Sequence, residues 1–273
     1  MKTLTNCRFC YAPNSALTKY LDLGMQPLAN NLEDTEEKAV LAERFPLQVY
    51  FCKNCTMSQL GCVVPPEKLF SNYLYRSGMS QQFKWHCSDL VGELNDSEGL
   101  STDDVVVDIA GNDGTLLYNY GSSIKKINVD PATNLCEIAE KKGINCINKF
   151  WSKEVAQEIV QKYGKASVVT AQNVFAHVHD VAGFIQGVKE VLSDYGVFVI
   201  EAPWAGDYIG NGDFTSTYHE HLSYISVRGM CLFIKQFDME VHKIKYFNSL
   251  HTGSIRYYIR HKDSMKPKKS NRW

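Results

Sequence analysis

From Val105 onward, short β-branched apolar runs alternate with longer segments whose apolar positions recur every three or four residues. The runs "VVVDIA" (105–110), "KKINVD" (125–130), "INCINKF" (144–150), "ASVVTAQNV" (166–174) and "GVFVIEAP" (196–203) read as strands. Between them "TLLYNYG", "NLCEIAEKKG", "SKEVAQEIVQKYG" and "VAGFIQGVKEVLSDYG" read as helices. Alternation at this length implies a mainly parallel, doubly wound sheet with helices on both faces. The pattern then changes. After the helical "VRGMCLFIKQF", the strands "EVHKIKYFN" and "GSIRYYIRHK" follow with no helix between them, so they must pair antiparallel.

The first part of the chain reads differently. Residues 1–65 hold the turn-forming stretches "LDLGMQPLANN" and "ERFPLQVYFCKNC", with helical periodicity only in "LEDTEEKAVLAE". Such a loop-rich module buries too little apolar surface to stand without a staple. The staple is visible in the cysteines. Of nine, four form Cys7-x-x-Cys10 and Cys52-x-x-Cys55, whereas Cys62, Cys87, Cys136, Cys146 and Cys231 are scattered. Paired C-x-x-C knuckles present four thiolates to one point, the ligand set of a structural Zn²⁺ with no open coordination position. Residues 66–99 form a helical connector containing "QQFKWHCSDLVGELN", and the polar "DSEGLSTDD" marks a boundary near residue 100. The expected organisation is therefore a zinc module (1–65), the connector on the substrate side (66–99), the α/β domain (100–262) and a basic tail (263–273).

Composition narrows the class further. The 273 residues carry 29 Lys+Arg against 30 Asp+Glu, a net charge of −1, which is no electrostatic footprint for nucleic acid. The N-terminus "MKTLTNCRFC" has no signal-like apolar region, and nowhere is there an apolar run of the roughly 18 residues that a membrane helix needs. The expectation is a cytoplasmic protein with a small-molecule substrate and neither nucleic-acid nor membrane partners.

In a doubly wound sheet the ligand sits at the carboxyl ends of the strands. There the first strand runs into "DIAGNDGTLL", where Gly111 and Gly114 let the backbone turn close to a ligand. Asp108 is placed to accept from an ammonium group, and Asp130, 22 residues on, to hold two ribose hydroxyls. The loop lacks G-x-G-x-x-G, which argues against a dinucleotide. A Rossmann-like sheet closed by an antiparallel hairpin resembles the class I S-adenosylmethionine-dependent methyltransferases.

The order of the two knuckles, "LDLGMQPLANN", "SNYLYRSGMS", "DIAGNDGTLL", "VDPATN", "QNVFAHVHD", "TYHEHLSY" and "HTGSIR" resembles the zinc-binding, S-adenosylmethionine-dependent sugar C-methyltransferases of deoxysugar biosynthesis, over nearly all of residues 5–260. The resemblance implies a cofactor pocket of Asp108, Gly111, Asn112, Gly114, Asp130, Asn134, Gln172 and Asn173. It implies His221 as base, Glu220 and Tyr218 to position substrate or polarise its ketone, and Tyr73 or Tyr75 lining the pocket. Three features depart from the family. The chain stops after "YYIRHK", where the family continues into a further Rossmann-like domain, so it reads as a short form. Thr252 replaces a glycine, and "APWA" stands in place of a Pro-His pair.

C-methylation next to a ketone needs a base that titrates near neutrality, for which histidine is suited, and donors for the developing oxyanion. A metal at His219, Glu220 and His221 is the rival for this segment, with His177 and His179 as further ligands. Read as a strand, "TYHEHLSY" sets His219 and His221 on one face and Glu220 on the other, which opposes a shared ion. O-methylation of a sugar or of a phosphorylated surface-polysaccharide precursor is the alternative activity. A non-catalytic zinc-dependent interaction module is a third reading.

Overall fold

A computed structural model of the chain describes residues 2–70, 75–248 and 253–264. In the N-terminal part, β1 (Lys2–Thr3) is followed by β2 (Leu17–Pro27), α1 (Glu36–Leu41), β3 (Arg44–Cys52), β4 (Ser58–Leu60), β5 (Cys62–Val63) and α2 (Pro66–Phe70). The stretches expected to be turns are thus the two longest strands here, β2 and β3, paired antiparallel. The reason lies in alternation: Phe45, Leu47 and Val49 are buried on one face of β3, while Pro46 meets Met25 where the register shifts, so its missing N–H costs little.

Next comes α3 (Gln81–Glu98), which runs through the "DSE" expected to be linker. It ends where Gly99 takes a left-handed φ of 57° and closes the last turn onto the Asn95 carbonyl. Ser80 caps its start by accepting from Phe83 N–H.

The α/β part contributes β6 (Val105–Ile109), β7 (Lys125–Val129), α4 (Thr133–Lys141), β8 (Asn145–Ile147), α5 (Lys153–Tyr163), β9 (Ala166–Gln172), α6 (Val181–Val191), β10 (Leu192–Pro203), α7 (Ala205–Gly210), β11 (Ser223–Tyr224), α8 (Val227–Lys235), β12 (Met239–Phe247) and β13 (Ser254–His261). Seven strands form one sheet in the order β12-β13-β10-β9-β6-β7-β8, parallel except for β13, which is antiparallel to both its neighbours. The order reverses between β6 and β9, which opens a crevice at their carboxyl ends. Its core strands are buried apolar runs, and α3 covers one face through Cys87, Leu90, Val91 and Leu94.

The helix expected at "TLLYNYG" does not form. Only one tight turn, Leu117–Asn119, is present, because the Asn119 amide bonds the carbonyls of Thr115 and Leu116 and competes with helical pairing. The scattered Cys136 and Cys146 are joined in a disulfide between α4 and β8.

The two regions are interlocked. β11, although from the α/β part of the chain, is the edge strand of the four-stranded N-terminal sheet β11-β4-β3-β2. Leu60 N–H also donates to the Leu222 carbonyl at 3.0 Å. No helix among the described residues is long and apolar enough to cross a membrane.

Candidate active site and metal centre

Cys7, Cys10, Cys52 and Cys55 converge, with all four sulfurs within 4.8 Å of one another. The two knuckles are built alike. Tyr11 N–H bonds the Cys7 carbonyl and Thr56 N–H the Cys52 carbonyl, and Tyr11 and Thr56 each take a positive φ just after the second cysteine. The Cys7–Cys55 and Cys10–Cys52 sulfur separations are 3.5 and 3.7 Å. A tetrahedral ion with metal–sulfur bonds of about 2.3 Å sets sulfurs about 3.8 Å apart, so Zn²⁺ fits. The charge fits as well. Arg8 is buried beside Cys7, with Nε and Nη2 lacking partners among the described residues. A buried guanidinium opposite four neutral thiols would stand uncompensated, whereas a zinc tetrathiolate, net −2, balances it. Among the described residues this is the single cluster of metal-ligating side chains, and the His219–Glu220–His221 ion drops out.

At the switch point, Asp108 is buried at the end of β6 and accepts from the Thr170 hydroxyl. Burial pushes its carboxyl up to about 7; the Thr170 bond opposes this and the charge of Asp130 adds to it. Asp130 turns one oxygen to Asn112 N–H and the other to Ala132 N–H, each at 2.9 Å, and so shapes the loop. At Gly111 a Cβ would come within 2.6 Å of Asp108 Oδ2 and 2.3 Å of Asn128 Oδ1, so only glycine leaves this space. Ala110, Asn112 and Asn173 hold left-handed φ of 52–55°, and Gly114 one of 74°, all in the loops at the carboxyl ends of β6 and β9. Asn128 Oδ1, Gln172 Nε2 and Asn173 Oδ1 are buried without partners among the described residues. Orphaned acceptors, an orphaned donor and an uncompensated carboxyl around one glycine-lined crevice fit a polar, cation-bearing ligand.

Asn134 is exposed in the first turn of α4. Tyr75 is half exposed and reaches the loop through its backbone, its carbonyl accepting from Asn112 Nδ2 at 3.0 Å. Tyr73 lies outside the described residues.

The segment 217–222 is a turn, which corrects the strand reading of "TYHEHLSY" and with it the alternation argument about its faces. The reason is local: Thr217 N–H closes onto the Phe214 carbonyl and His221 N–H onto the Tyr218 carbonyl. His221 Nδ1 bonds the Ser216 carbonyl at 2.8 Å, which puts the ring proton on Nδ1 and leaves Nε2 as the basic atom. The Tyr218 hydroxyl donates to that Nε2 at 2.8 Å. His219 points elsewhere, to the Phe45 carbonyl.

Glu220 is buried. Its Oε1 accepts from Asn30 Nδ2 at 2.6 Å, and Oε2 lacks a partner among the described residues. Burial raises its carboxyl above the usual range, and the Asn30 bond opposes this.

Three contributors had no place in the expected site, except His177 as a ligand of the rival metal. Asn30 belongs to the quoted "PLANN" but had no role. His177 N–H donates from Nδ1 to the Glu220 carbonyl at 2.9 Å, and burial holds its imidazole down to about 4, hence neutral. Four residues after Asn173, it ties the crevice to the turn. Arg8 Nη1 donates to the Leu222 carbonyl and to Ser223 Oγ, tying the turn to the first knuckle. "HTGSIR" acts through its end: Ser254 and Arg256 hold the buried Glu201, Arg256 Nε at 2.8 Å, with His86 on the same carboxylate.

Residues 7–70 match the family described as "Putative zinc binding domain". Over 256 residues, 93% of this chain, the sequence is 30% identical to the C-methyltransferase NovU of Streptomyces niveus. The chain spans 60% of that protein's length. In fold it is similar to an S-adenosylmethionine-dependent methyltransferase of Clostridium acetobutylicum, with TM-score 0.52 and 14% identity, covering 68% of this chain and 94% of the other. It is also similar to the plantazolicin methyltransferase BpumL, solved with S-adenosylhomocysteine, with TM-score 0.51 and 11% identity over 68% of this chain and 88% of the other. The class I methyltransferase fold is borne out, and the zinc-binding match and the C-methyltransferase relative agree with the resemblance carried by the motifs.

Proposed function

We propose that this chain is an S-adenosylmethionine-dependent C-methyltransferase whose acceptor is a nucleotide-activated keto sugar. One observation carries the reading most: an imidazole of fixed tautomer, with a phenol against its basic nitrogen, stands on a turn that His177 ties to the loop following β9. The likeness to a C-methyltransferase over almost the whole chain supports it.

When bound, S-adenosylmethionine supplies an activated methyl group, so the protein's share is orientation and proton removal. Asp108 would hold the ammonium end, Asp130 the ribose, and Asn112, Gln172 and Asn173 the remaining polar edge. Tyr218 and His221 form a relay: the phenolic oxygen takes the proton from the carbon beside the ketone while its own proton passes to His221 Nε2. Glu220, whose carboxyl burial raises, would when protonated donate from Oε2 to the oxygen on which enolate charge develops. Asn30 donates to Oε1, so Oε2 is the oxygen left for that contact.

The test is mass spectrometry of nucleotide keto sugars incubated with enzyme and S-adenosylmethionine in deuterated water. A gain of one methyl, with deuterium exchange beside the carbonyl, is expected. Methyl gain on oxygen without that exchange would replace this reading by O-methylation, and no gain on any sugar would remove the acceptor class.

Asp108 carries a separate expectation. Its folded-state value, about 7, lies above the roughly 3.9 of an unfolded aspartate, so the folded chain holds the extra proton between these limits. Stability of the ligand-free protein should fall as pH rises through that window. An ammonium pairs with the ionised form, so S-adenosylhomocysteine should bind more tightly as pH rises from about 5 to about 7, with proton release seen by calorimetry in two buffers. Asp108→Asn should flatten the dependence; an unchanged slope in that variant would assign it to another group.

A further inference from the structure

We propose that Trp204, buttressed by Tyr246 and flanked by Asp207, is the platform on which the acceptor's sugar ring lies. The inference rests on the acceptor being a sugar and names the surface that recognises its ring. Trp204 follows directly on β10, at the carboxyl edge of the sheet, and is half-buried. With Pro203, Tyr208, Ser216 and Gly253 it lines a small cavity that also contains His221. The indole is therefore a neighbour of the proposed base.

The wall is built rather than incidental. The Tyr246 ring packs edge-on against the indole, with centroids 5.6 Å apart and an interplanar angle of 73°. The Tyr246 hydroxyl donates to Asp207 Oδ2 at 2.8 Å, and the backbone N–H of Trp204 donates to the Gly253 carbonyl at 3.2 Å. Two glycines make room for these groups. A Cβ at Gly206 would come within 2.5 Å of the indole ring. One at Gly253, where φ is +124°, would overlap the Asp207 carboxylate at 1.7 Å. Indole and carboxylate therefore occupy space that no other residue type at 206 and 253 would leave.

The chemistry of the pair selects the ligand. A pyranose presents C–H bonds on its flat face and hydroxyls around its rim. The electron-rich indole face suits the first, and the neighbouring carboxylate accepts from the second. A bare nucleotide has no such ring for Trp204 to hold, so the platform should distinguish a sugar nucleotide from its nucleotide alone.

Calorimetry on the zinc-loaded, S-adenosylhomocysteine-bound protein tests this with dTDP-glucose and UDP-glucose, each beside its bare diphosphate. The wild type should bind at least one sugar nucleotide more tightly than its nucleotide. Trp204→Leu, which keeps apolar bulk, should lose that increment, about tenfold in affinity, with nucleotide and S-adenosylhomocysteine binding unchanged. Trp204→Phe should retain most of it. Tyr246→Ala, at an exposed edge position, should weaken it in the same direction without disturbing the core. An undiminished increment in both Trp204→Leu and Tyr246→Ala overturns the platform and leaves the acceptor class standing. A wild type that binds no sugar nucleotide better than its bare nucleotide overturns both.

Discussion

Cys52→Ala should abolish methyl transfer while leaving S-adenosylhomocysteine binding almost intact. Zinc site and reaction are joined by a short mechanical path. Cys52 ends β3, β3 pairs with β4, and β4 pairs with β11, the strand immediately after the turn that carries Tyr218, Glu220 and His221. Arg8, between the first two thiolates, holds the Leu222 carbonyl directly. Structural zinc contributes folding energy on the order of 10 kcal/mol in small metal modules. Losing one ligand frees that sheet and the turn with it. A displacement of about 1 Å at reacting groups is enough for a loss of about 10²-fold. The crevice around Asp108 belongs to the seven-stranded sheet and should persist. Elemental analysis should give one zinc per chain in the wild type and none in the variant. Near-normal turnover in a zinc-free variant would break the proposed path.

His221→Ala should slow transfer by about 10²–10⁴-fold, the range for a positioned general base. Tyr218→Phe should fall in the same range, because the phenolic oxygen is the first atom of the proposed relay. The informative measurement is the double variant. Two residues that pass a single proton should fail together, so His221→Ala with Tyr218→Phe should be scarcely worse than either alone. Independent roles would multiply the losses. Cofactor affinity should hold in all three, since both side chains stand on the 217–222 turn whereas Asp108 and Asp130 stand at the ends of β6 and β7; a parallel fall in that affinity would make the residues structural.

Some of this was open in the linear order and some was not. The β/α alternation, the closing hairpin and the two knuckles were legible because each follows from local periodicity or spacing. The turn at "GNDG" was legible because a pair of glycines at a strand end lets the backbone turn, as the φ of 74° at Gly114 shows. The failures were local as well. "TLLYNYG" has helical apolar spacing, but Asn119 turns its amide onto nearby carbonyls, a competition that periodicity does not register. "TYHEHLSY" alternates like a strand, yet backbone bonds within it close a turn, and only beyond Leu222 does the chain extend. Pairing of Cys136 with Cys146 joins a helix to a strand, which spacing alone does not specify.

The sequence by itself determined the class of sheet and the four-cysteine cluster, since those depend on short-range pattern and on the valence of the donors. Tertiary structure alone decided what each group can do. It put the Ser216 carbonyl against one nitrogen of His221 and the Tyr218 hydroxyl against the other, brought Asn30 across 190 residues to Glu220, and made β11 part of the zinc-stapled sheet. Tautomer, protonation and reach depend on which partner lies within 3 Å, and in a folded chain that partner comes from a distant stretch of sequence as readily as from a near one.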